Sequence, residues 1–118
     1  MPLKQKTGHQ TGLYAERLAE FALLLKGWRM VARRYKTYLG EIDLVAKRGR
    51  TLAFVEVKWR GDNDTAAEAI HTKNRERVKN ASALYLQKHP EYADMNIRFD
   101  AVLMAPKSWP RHIARAWE

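Results

Sequence analysis

The sequence of 118 residues contains no cysteine. This absence excludes disulfide frameworks, thiolate catalysis, and zinc or iron–sulfur sites held by thiolates. No apolar run approaches the roughly 20 residues that a membrane-spanning helix needs, and no apolar segment follows the basic residues at the start of the chain. We therefore expect a cytoplasmic protein that does not enter membranes. Repeats and linkers are also lacking, which predicts one domain over residues 1–118, with residues 1–10 as a flexible basic arm.

Acidic residues are fewer than basic ones. The chain has 13 Asp and Glu against 22 Lys and Arg, which gives a formal charge of +9. A field of this sign attracts phosphates through counterion release, whatever the sequence of the nucleic acid. Small basic domains bind ribosomal RNA, DNA or acidic proteins, and among these partners the charge favours a nucleic acid.

Hydrophobic spacing and turn residues predict the order of the secondary-structure elements. The first helix is expected from Thr11 to about Lys26, with Gly27 as its stop. The other predicted elements are strands over residues 30–35, 41–47 and 51–60, a helical turn over 66–70, a helix over 73–88, a strand over 97–104, and a candidate last strand over 112–117. This order predicts an α/β fold with a mixed sheet flanked by helices.

Three charged residues lie among apolar neighbours in the hairpin formed by the second and third strands. Glu56 and Lys58 are two residues apart and therefore share one face of their strand. The hairpin brings Asp43, on the partner strand, beside Glu56. Two converging carboxylates offer the oxygen ligands that Mg²⁺ prefers, with Mn²⁺ as a substitute, and their repulsion is expected to raise the pKa of one.

Lys58 beside these carboxylates can orient or help to deprotonate a metal-bound water, or offset negative charge in the transition state. Those are its roles in metal-assisted hydrolysis of a phosphodiester. The alternative is that Asp43, Glu56 and Lys58 form cross-strand ion pairs on a solvated face. Their apolar neighbours argue against that alternative, because burying three charges without a task is costly.

Several segments together resemble the YraN family of uncharacterised bacterial proteins. They are Thr11-Gly12-Leu13-Tyr14-Ala15-Glu16, Gly40-Glu41-Ile42-Asp43-Leu44-Val45-Ala46, Phe54-Val55-Glu56-Val57-Lys58-Trp59-Arg60, Lys73, and Arg98-Phe99-Asp100-Ala101-Val102. The resemblance covers roughly residues 11–104. That family in turn resembles the PD-(D/E)XK nucleases, in particular Holliday-junction resolvases of the archaeal type, which implies a restriction-endonuclease-like core of order αβββαβ.

The resemblance also implies roles for individual residues. It makes Asp43, Glu56 and the backbone carbonyl of Val57 metal ligands, Lys58 the catalytic lysine, and Glu16 an auxiliary acidic residue near the metal. The sequence departs from the general nuclease pattern at two positions. Ile42 stands where that motif has proline, and Ala15 replaces a glycine often found before the helix glutamate. Neither change removes a ligand.

Basic residues outside the hairpin are candidates for contacts with nucleic-acid phosphates. They are Arg60, two residues beyond Lys58, and a set on the second helix: Lys73, Arg75, Arg77 and Lys79. A charge run of this kind is alternatively a solvated helix face. The four tryptophans are more often packing residues than base-stacking ones, and the four histidines show no metal-ligand spacing.

Two classes of function remain open from the sequence. The first is a Mg²⁺-dependent endonuclease acting on structured or branched DNA, for which a homodimer suits two symmetric cuts. The second is a non-catalytic nucleic-acid-binding or interaction module on a nuclease-like scaffold, since a fold does not settle a function. Affinity for a divalent metal distinguishes the two classes.

Overall fold

The computed structural model describes residues 8–59 and 72–117, and the side-chain surroundings of residues 13–59 and 75–117. The elements of this part of the chain are α1 (Gly8–Leu25), β1 (Arg29–Lys36), β2 (Glu41–Arg48), β3 (Thr51–Trp59), α2 (Thr72–Lys88), a 3-10 turn (Pro90–Tyr92), β4 (Asn96–Met104) and β5 (Arg111–Trp117). The predicted order is confirmed, and the candidate last strand is β5. None of the described helices is both long and apolar enough to cross a membrane.

Two expectations from the sequence concern segments that the structure describes only in part or not at all. Helix α1 begins at Gly8, three residues before the predicted Thr11, so residues 8–10 of the expected arm are helical. Residues 1–7 of that arm lie outside the described residues. The helical turn predicted over residues 66–70 also falls outside them.

The five strands form one mixed sheet in the order β1-β2-β3-β4-β5. Strands β3 and β4 run parallel, and every other neighbouring pair is antiparallel. Because β3 and β4 are parallel, the chain must cross back to the end of the sheet at which β3 begins, and α2 lies in that crossover connection. The α/β sheet flanked by helices is therefore the predicted fold class.

Strand β3 alternates between two hydrophobic cores, as a strand covered on both faces does. Ala53 and Val55 belong to the core that includes α1, whereas Leu52 and Phe54 belong to the core that includes α2. All residues from Leu52 to Glu56 are buried. By the same alternation, Glu56 lies on the α2 face, and the residues of the strand after it are half-buried.

A buried carboxylate holds β5 against β4. Asp100 has no exposed surface, and its oxygens accept hydrogen bonds from Arg98 at 2.6 Å, His112 Nε2 at 2.7 Å and the Arg115 N–H at 3.0 Å. Burial by itself raises the pKa of Asp100, but these donors outweigh burial and lower the pKa to about 2. The segment around Asp100 thus fixes the last strand, and His112 gains a structural partner that its sequence position did not predict.

The turn between β1 and β2 brings the backbone of α2 close to the sheet. Thr37 Oγ1 accepts hydrogen bonds from the N–H groups of Leu39 and Gly40, both at 3.0 Å. A Cβ added at Gly40 would lie 2.2 Å from the carbonyl oxygen of Arg77. Glycine at this position therefore sets how closely α2 approaches the first residues of β2.

We predict that Gly40→Ala lowers the free energy of unfolding by about 2 kcal/mol or more. The added methyl group would clash with the backbone of Arg77, which cannot move aside by changing a side-chain rotamer. Urea unfolding measures the change. Gly49→Asn is the matched control: its φ is +59° with nothing within 4 Å, and asparagine tolerates that conformation. Equal stability of Gly40→Ala and the wild type would show that α2 does not pack this closely.

Candidate active site

The candidate site lies where β2 and β3 separate. Their register pairs run from Arg48↔Thr51 to Leu44↔Val55, and Asp43 is the next residue of β2. Asp43 Oδ2 accepts a hydrogen bond of 2.8 Å from the Val57 N–H. A side-chain carboxylate, rather than a backbone carbonyl, therefore satisfies the donor of β3 at this point.

The alternation of side chains between the two faces of β2 is interrupted at Asp43. Side chains two apart on a regular strand share a face, yet Ile42 packs in the α2 core and Leu44 in the α1 core. The change in alternation falls on Asp43 between them. This local irregularity turns a position inside a buried strand into one that opens on a cleft.

Glu56 and Lys58 project from the end of β3 on the α2 face. Lys58 Nζ lies 3.1 Å from Glu56 Oε2. Glu56 is only 7% exposed, and its second oxygen, Oε1, is buried without a hydrogen-bond partner among the described residues. One carboxylate oxygen is thus paired with a cation, while the other is left for a further donor or cation.

These groups line one cleft of about 340 Å³. The lining residues are Glu16, Arg34, Glu41, Asp43, Glu56, Val57, Lys58, Arg77 and Val78. The cleft contains every residue predicted from the sequence as a metal ligand, and also the predicted catalytic lysine. Chain segments more than 60 residues apart in sequence meet here, since Glu16 comes from α1 and Arg77 from α2.

The electrostatics of the cleft raise the pKa of Asp43 to about 7. Burial is the largest cause, and the negative charges of Glu16 and Glu56 raise it further. The Val57 hydrogen bond and the charge of Lys58 act in the opposite direction without cancelling them. The expected rise in the pKa of one carboxyl is therefore present, with burial contributing more than the neighbouring carboxylates.

Arg34 is a cleft residue that sequence reasoning missed. Its Nε donates to Glu16 Oε1 at 2.9 Å, while the preceding Arg33 donates to Glu20, one helical turn further along α1. Neighbouring residues of a regular strand point to opposite faces, but Arg34 has a left-handed φ of +50°, which lets both arginines reach the same helix. The sequence gave no indication of this conformation, because arginine is not a residue type that favours a left-handed φ.

The predicted nucleic-acid contacts divide into four groups. Arg77 lines the cleft, Lys79 is exposed, and Arg75 is half-buried with a buried Nε that has no partner among the described residues. The side chain of Lys73 and the whole of Arg60 lie outside what the structure describes. Arg77 is thus the described member of the set that shares a cleft with the carboxylates.

Most of the tryptophans pack, as expected. Trp28 and Trp117 are buried, and Trp59 contacts the α1 core. Trp109 is 61% exposed, with its ring 6.4 Å from that of Phe21. Trp109 is therefore the tryptophan with a surface on which a base can stack.

The fold of the chain is similar to that of a solved resolvase. A solved Holliday junction resolvase, Hjc of Archaeoglobus fulgidus, superposes with a TM-score of 0.56 at 18% identity, covering 84% of this chain and 72% of that one. The restriction-endonuclease-like architecture expected from the sequence is thereby confirmed as a fold.

The chain belongs to the uncharacterised protein family UPF0102, the YraN family, whose model matches residues 15–104. A UPF0102 protein of Parvibaculum lavamentivorans is 52% identical over 116 residues, which cover 98% of this chain and 87% of the relative. One from Methylorubrum extorquens is 49% identical over 115 residues, covering 98% and 90%. The resemblance read from the motifs is confirmed.

The donor set of the cleft fits a small divalent cation. Among the described residues, no three His, Asp or Glu side chains are grouped as a preformed metal cage. Mg²⁺ is commonly bound by only one or two carboxylates, with water and substrate phosphate in its other positions. Asp43 and Glu56 supply two carboxylates, and a bound cation would give the Glu56 Oε1 atom a partner and offset the negative charges that raise the pKa of Asp43.

We predict that the protein in EDTA loses stability as the pH rises from about 4 to 7. Asp43 has a pKa of about 7 in the folded protein against 3.8 in a solvated chain, so the folded state binds the proton more tightly across this range. The loss is up to about 4 kcal/mol. Urea unfolding at pH 5 and pH 8 measures it.

Asp43→Asn removes this titration and keeps an acceptor for the Val57 N–H, so it should be more stable than the wild type at pH 8. Glu41→Gln, at an exposed carboxylate of the same cleft, should keep the wild-type pH dependence. A wild-type stability that stays level between pH 5 and pH 8 would contradict the raised pKa.

Proposed function

We propose that this protein is a divalent-metal-dependent endonuclease that hydrolyses phosphodiester bonds in structured or branched DNA. The observation that carries the proposal is the convergence of Asp43, Glu56 and Lys58 on one cleft where two buried strands separate. The Hjc-like fold and the charge of +9 support it. A homodimer would present two such clefts to the two strands of a symmetric branch point.

Asp43, Glu56 and the carbonyl of Val57 are the groups that would hold Mg²⁺ or Mn²⁺. When bound, such an ion would supply Lewis acidity that polarises a phosphoryl oxygen and activates water near neutral pH. Hydrolysis joins the water oxygen to phosphorus, breaks one phosphorus–oxygen ester bond, and leaves a phosphate monoester and a hydroxyl group. The chain itself must position the water and the phosphate.

Lys58 is placed to perform part of that positioning. Its ammonium group is held by Glu56 at 3.1 Å and lines the cleft, so it can orient the attacking water and offset the charge that develops on the phosphoryl oxygens. Arg34 and Arg77 line the same cleft and supply charged donors for the flanking phosphates. Glu16 is a third carboxylate of the cleft, beside Asp43 and Glu56, and it accepts a hydrogen bond from Arg34.

The Lys58–Glu56 ion pair also favours a second function, in which the domain binds nucleic acid without cleaving it. In that case Lys58 only neutralises a buried carboxylate. Removing one partner of a buried pair costs several kcal/mol, because a charge is left uncompensated. A substitution of Lys58 therefore separates the two functions through stability as well as through activity.

We predict that Lys58→Met lowers the rate of DNA cleavage by about 10²-fold or more and retains metal and DNA binding, because the lysine acts mainly in the transition state. Asp43→Asn should lose both metal binding and cleavage. Cleavage is measured on four-way, flap, nicked and single-stranded DNA with Mg²⁺ or Mn²⁺, metal binding by calorimetry, and stability by thermal melting.

Lys36→Met is the matched control, since Lys36 is an exposed lysine of β1 and does not line the cleft. It should cleave as the wild type does. A wild type that cleaves none of these substrates, together with a Lys58→Met variant that melts several degrees lower, would support the binding function and contradict the nuclease.

A further inference from the structure

The positive charge of the described chain is not concentrated in the cleft. Four carboxylates face three cations there: Glu16, Glu41, Asp43 and Glu56 against Arg34, Lys58 and Arg77. Two of these cations are already bonded to carboxylates of the cleft. The described lining is therefore close to neutral, so within the described part of the chain a polyanion would be attracted mainly by other surfaces.

Basic residues collect at the opposite end of the sheet, around the β2–β3 turn. We call this surface the basic end; its residues are Lys26, Arg29, Lys47, Arg48, Arg50 and Arg115. Arg29 and Lys47 are register partners, and the Asn96 N–H bonds to the Arg50 carbonyl at 2.7 Å, so α1, β1, β2, β3 and β4 all meet here. A groove between β4 and β5 continues this surface past Arg98 and Arg115.

The cations of the basic end have no carboxylate partner among the described residues. None of them takes part in an ion pair of that region, and five of the six are exposed. Asp94 is an exposed carboxylate near the turn, and Arg50 approaches its main-chain oxygen at 3.5 Å. Lys26 Nζ lies 2.8 Å from His112 Nδ1, and none of the six cations has an ion pair with a carboxylate in the described part of the chain.

Arg48 is held in place by two contacts within the chain. It donates to the Lys26 carbonyl at 3.2 Å, and its guanidinium lies 4.5 Å from the centre of the buried Trp28 ring. A guanidinium has five N–H groups, so most of its donors stay available. Because the side chain is already ordered, less conformational entropy is lost when it binds a phosphate.

The basic end and the cleft are separated by the length of β3. Glu56 lies five residue steps along the extended strand from Thr51, and the arginines project beyond the turn, which gives a separation of about 20 Å. That length corresponds to about six base pairs of duplex. A nucleic acid that reaches both surfaces must therefore extend at least that far from the phosphate in the cleft.

We propose that the basic end binds the sugar-phosphate backbone of a duplex DNA arm, at least about six base pairs from the phosphate held in the cleft. The proposal rests on the proposed nuclease function for the role of the cleft. It adds a second contact surface, which gives a branched DNA with long arms more contacts than a short duplex provides. Its ligand chemistry is the phosphate backbone, without base readout.

Binding in EDTA tests the proposal without any cleavage. Arg29→Ala with Arg50→Ala removes two exposed cations that do not pack on Trp28. For a four-way junction with 15-base-pair arms, the slope of log affinity against log salt should fall by about 1.8, and affinity at physiological salt about tenfold. Lys36→Ala with Arg111→Ala, exposed cations at the other ends of β1 and β5, should change affinity less than threefold.

Arg48→Gln gives a second variant, which keeps an uncharged side chain of similar length beside Trp28, and should lower the slope by about 0.9. An equal fall for both double variants would show that only total charge matters and would overturn the proposal. Tighter binding of an RNA duplex than of DNA of the same length would overturn the assignment to DNA.

Cross-linking locates the contact directly. The chain has no cysteine, so a single photoreactive group can be attached at Arg50→Cys or, near the cleft, at the 88% exposed Tyr38→Cys. The Arg50→Cys probe should label DNA at least six base pairs from the branch, and the Tyr38→Cys probe should label the branch. Labelling of the branch from both positions would overturn the proposal.

These outcomes are independent of catalysis. A wild type that cleaves DNA, with an Arg29→Ala and Arg50→Ala variant that binds the junction as tightly as the wild type, refutes only the basic end. The expected cross-links without cleavage of any substrate refute only the nuclease.

Discussion

The hydrogen bond from the Val57 N–H to the Asp43 carboxylate places a charge inside a sheet that is otherwise covered by helices on both faces. It requires β2 to leave the register of β3 after Leu44, and this separation opens the cleft. Burial and nearby carboxylates then hold the pKa of Asp43 at about 7. In the proposed function, a cation bound there would relieve that unfavourable ionisation of Asp43. Burial of the carboxyl is therefore the main reason to expect affinity for a cation in this cleft.

In the proposed function, the long-range attraction of the nucleic acid and the hydrolysis of the phosphodiester belong to two different surfaces of the domain. The lining of the cleft is nearly neutral and two of its three cations are bonded to carboxylates, whereas the cations of the basic end have no carboxylate partner in the described part of the chain. A long-range field acts on any polyanion, while specificity for a particular phosphate requires fixed groups at short distance. The two proposed surfaces lie at the two ends of β3, which is buried from Leu52 to Glu56.

Much of this architecture follows from local patterns. The alternation of β3 predicted the shared face of Glu56 and Lys58, and the spacing of the hairpin brought Asp43 to the same cleft. Arg34 was not predictable, because its left-handed φ is a property of how β1 meets α1 and not of the residue type. The buried bond between Asp100 and His112 was missed for a similar reason: it joins two strands whose pairing the sequence left open.

The central claim is that Asp43 and Glu56 form one metal site. Anomalous diffraction from crystals grown with Mn²⁺ tests it most directly, because the manganese signal locates the ion without reference to activity. The account predicts a peak in contact with carboxylate oxygens of both residues, and its loss in crystals of Asp43→Asn. A peak bound elsewhere, or none in the cleft at saturating Mn²⁺, would contradict the assignment.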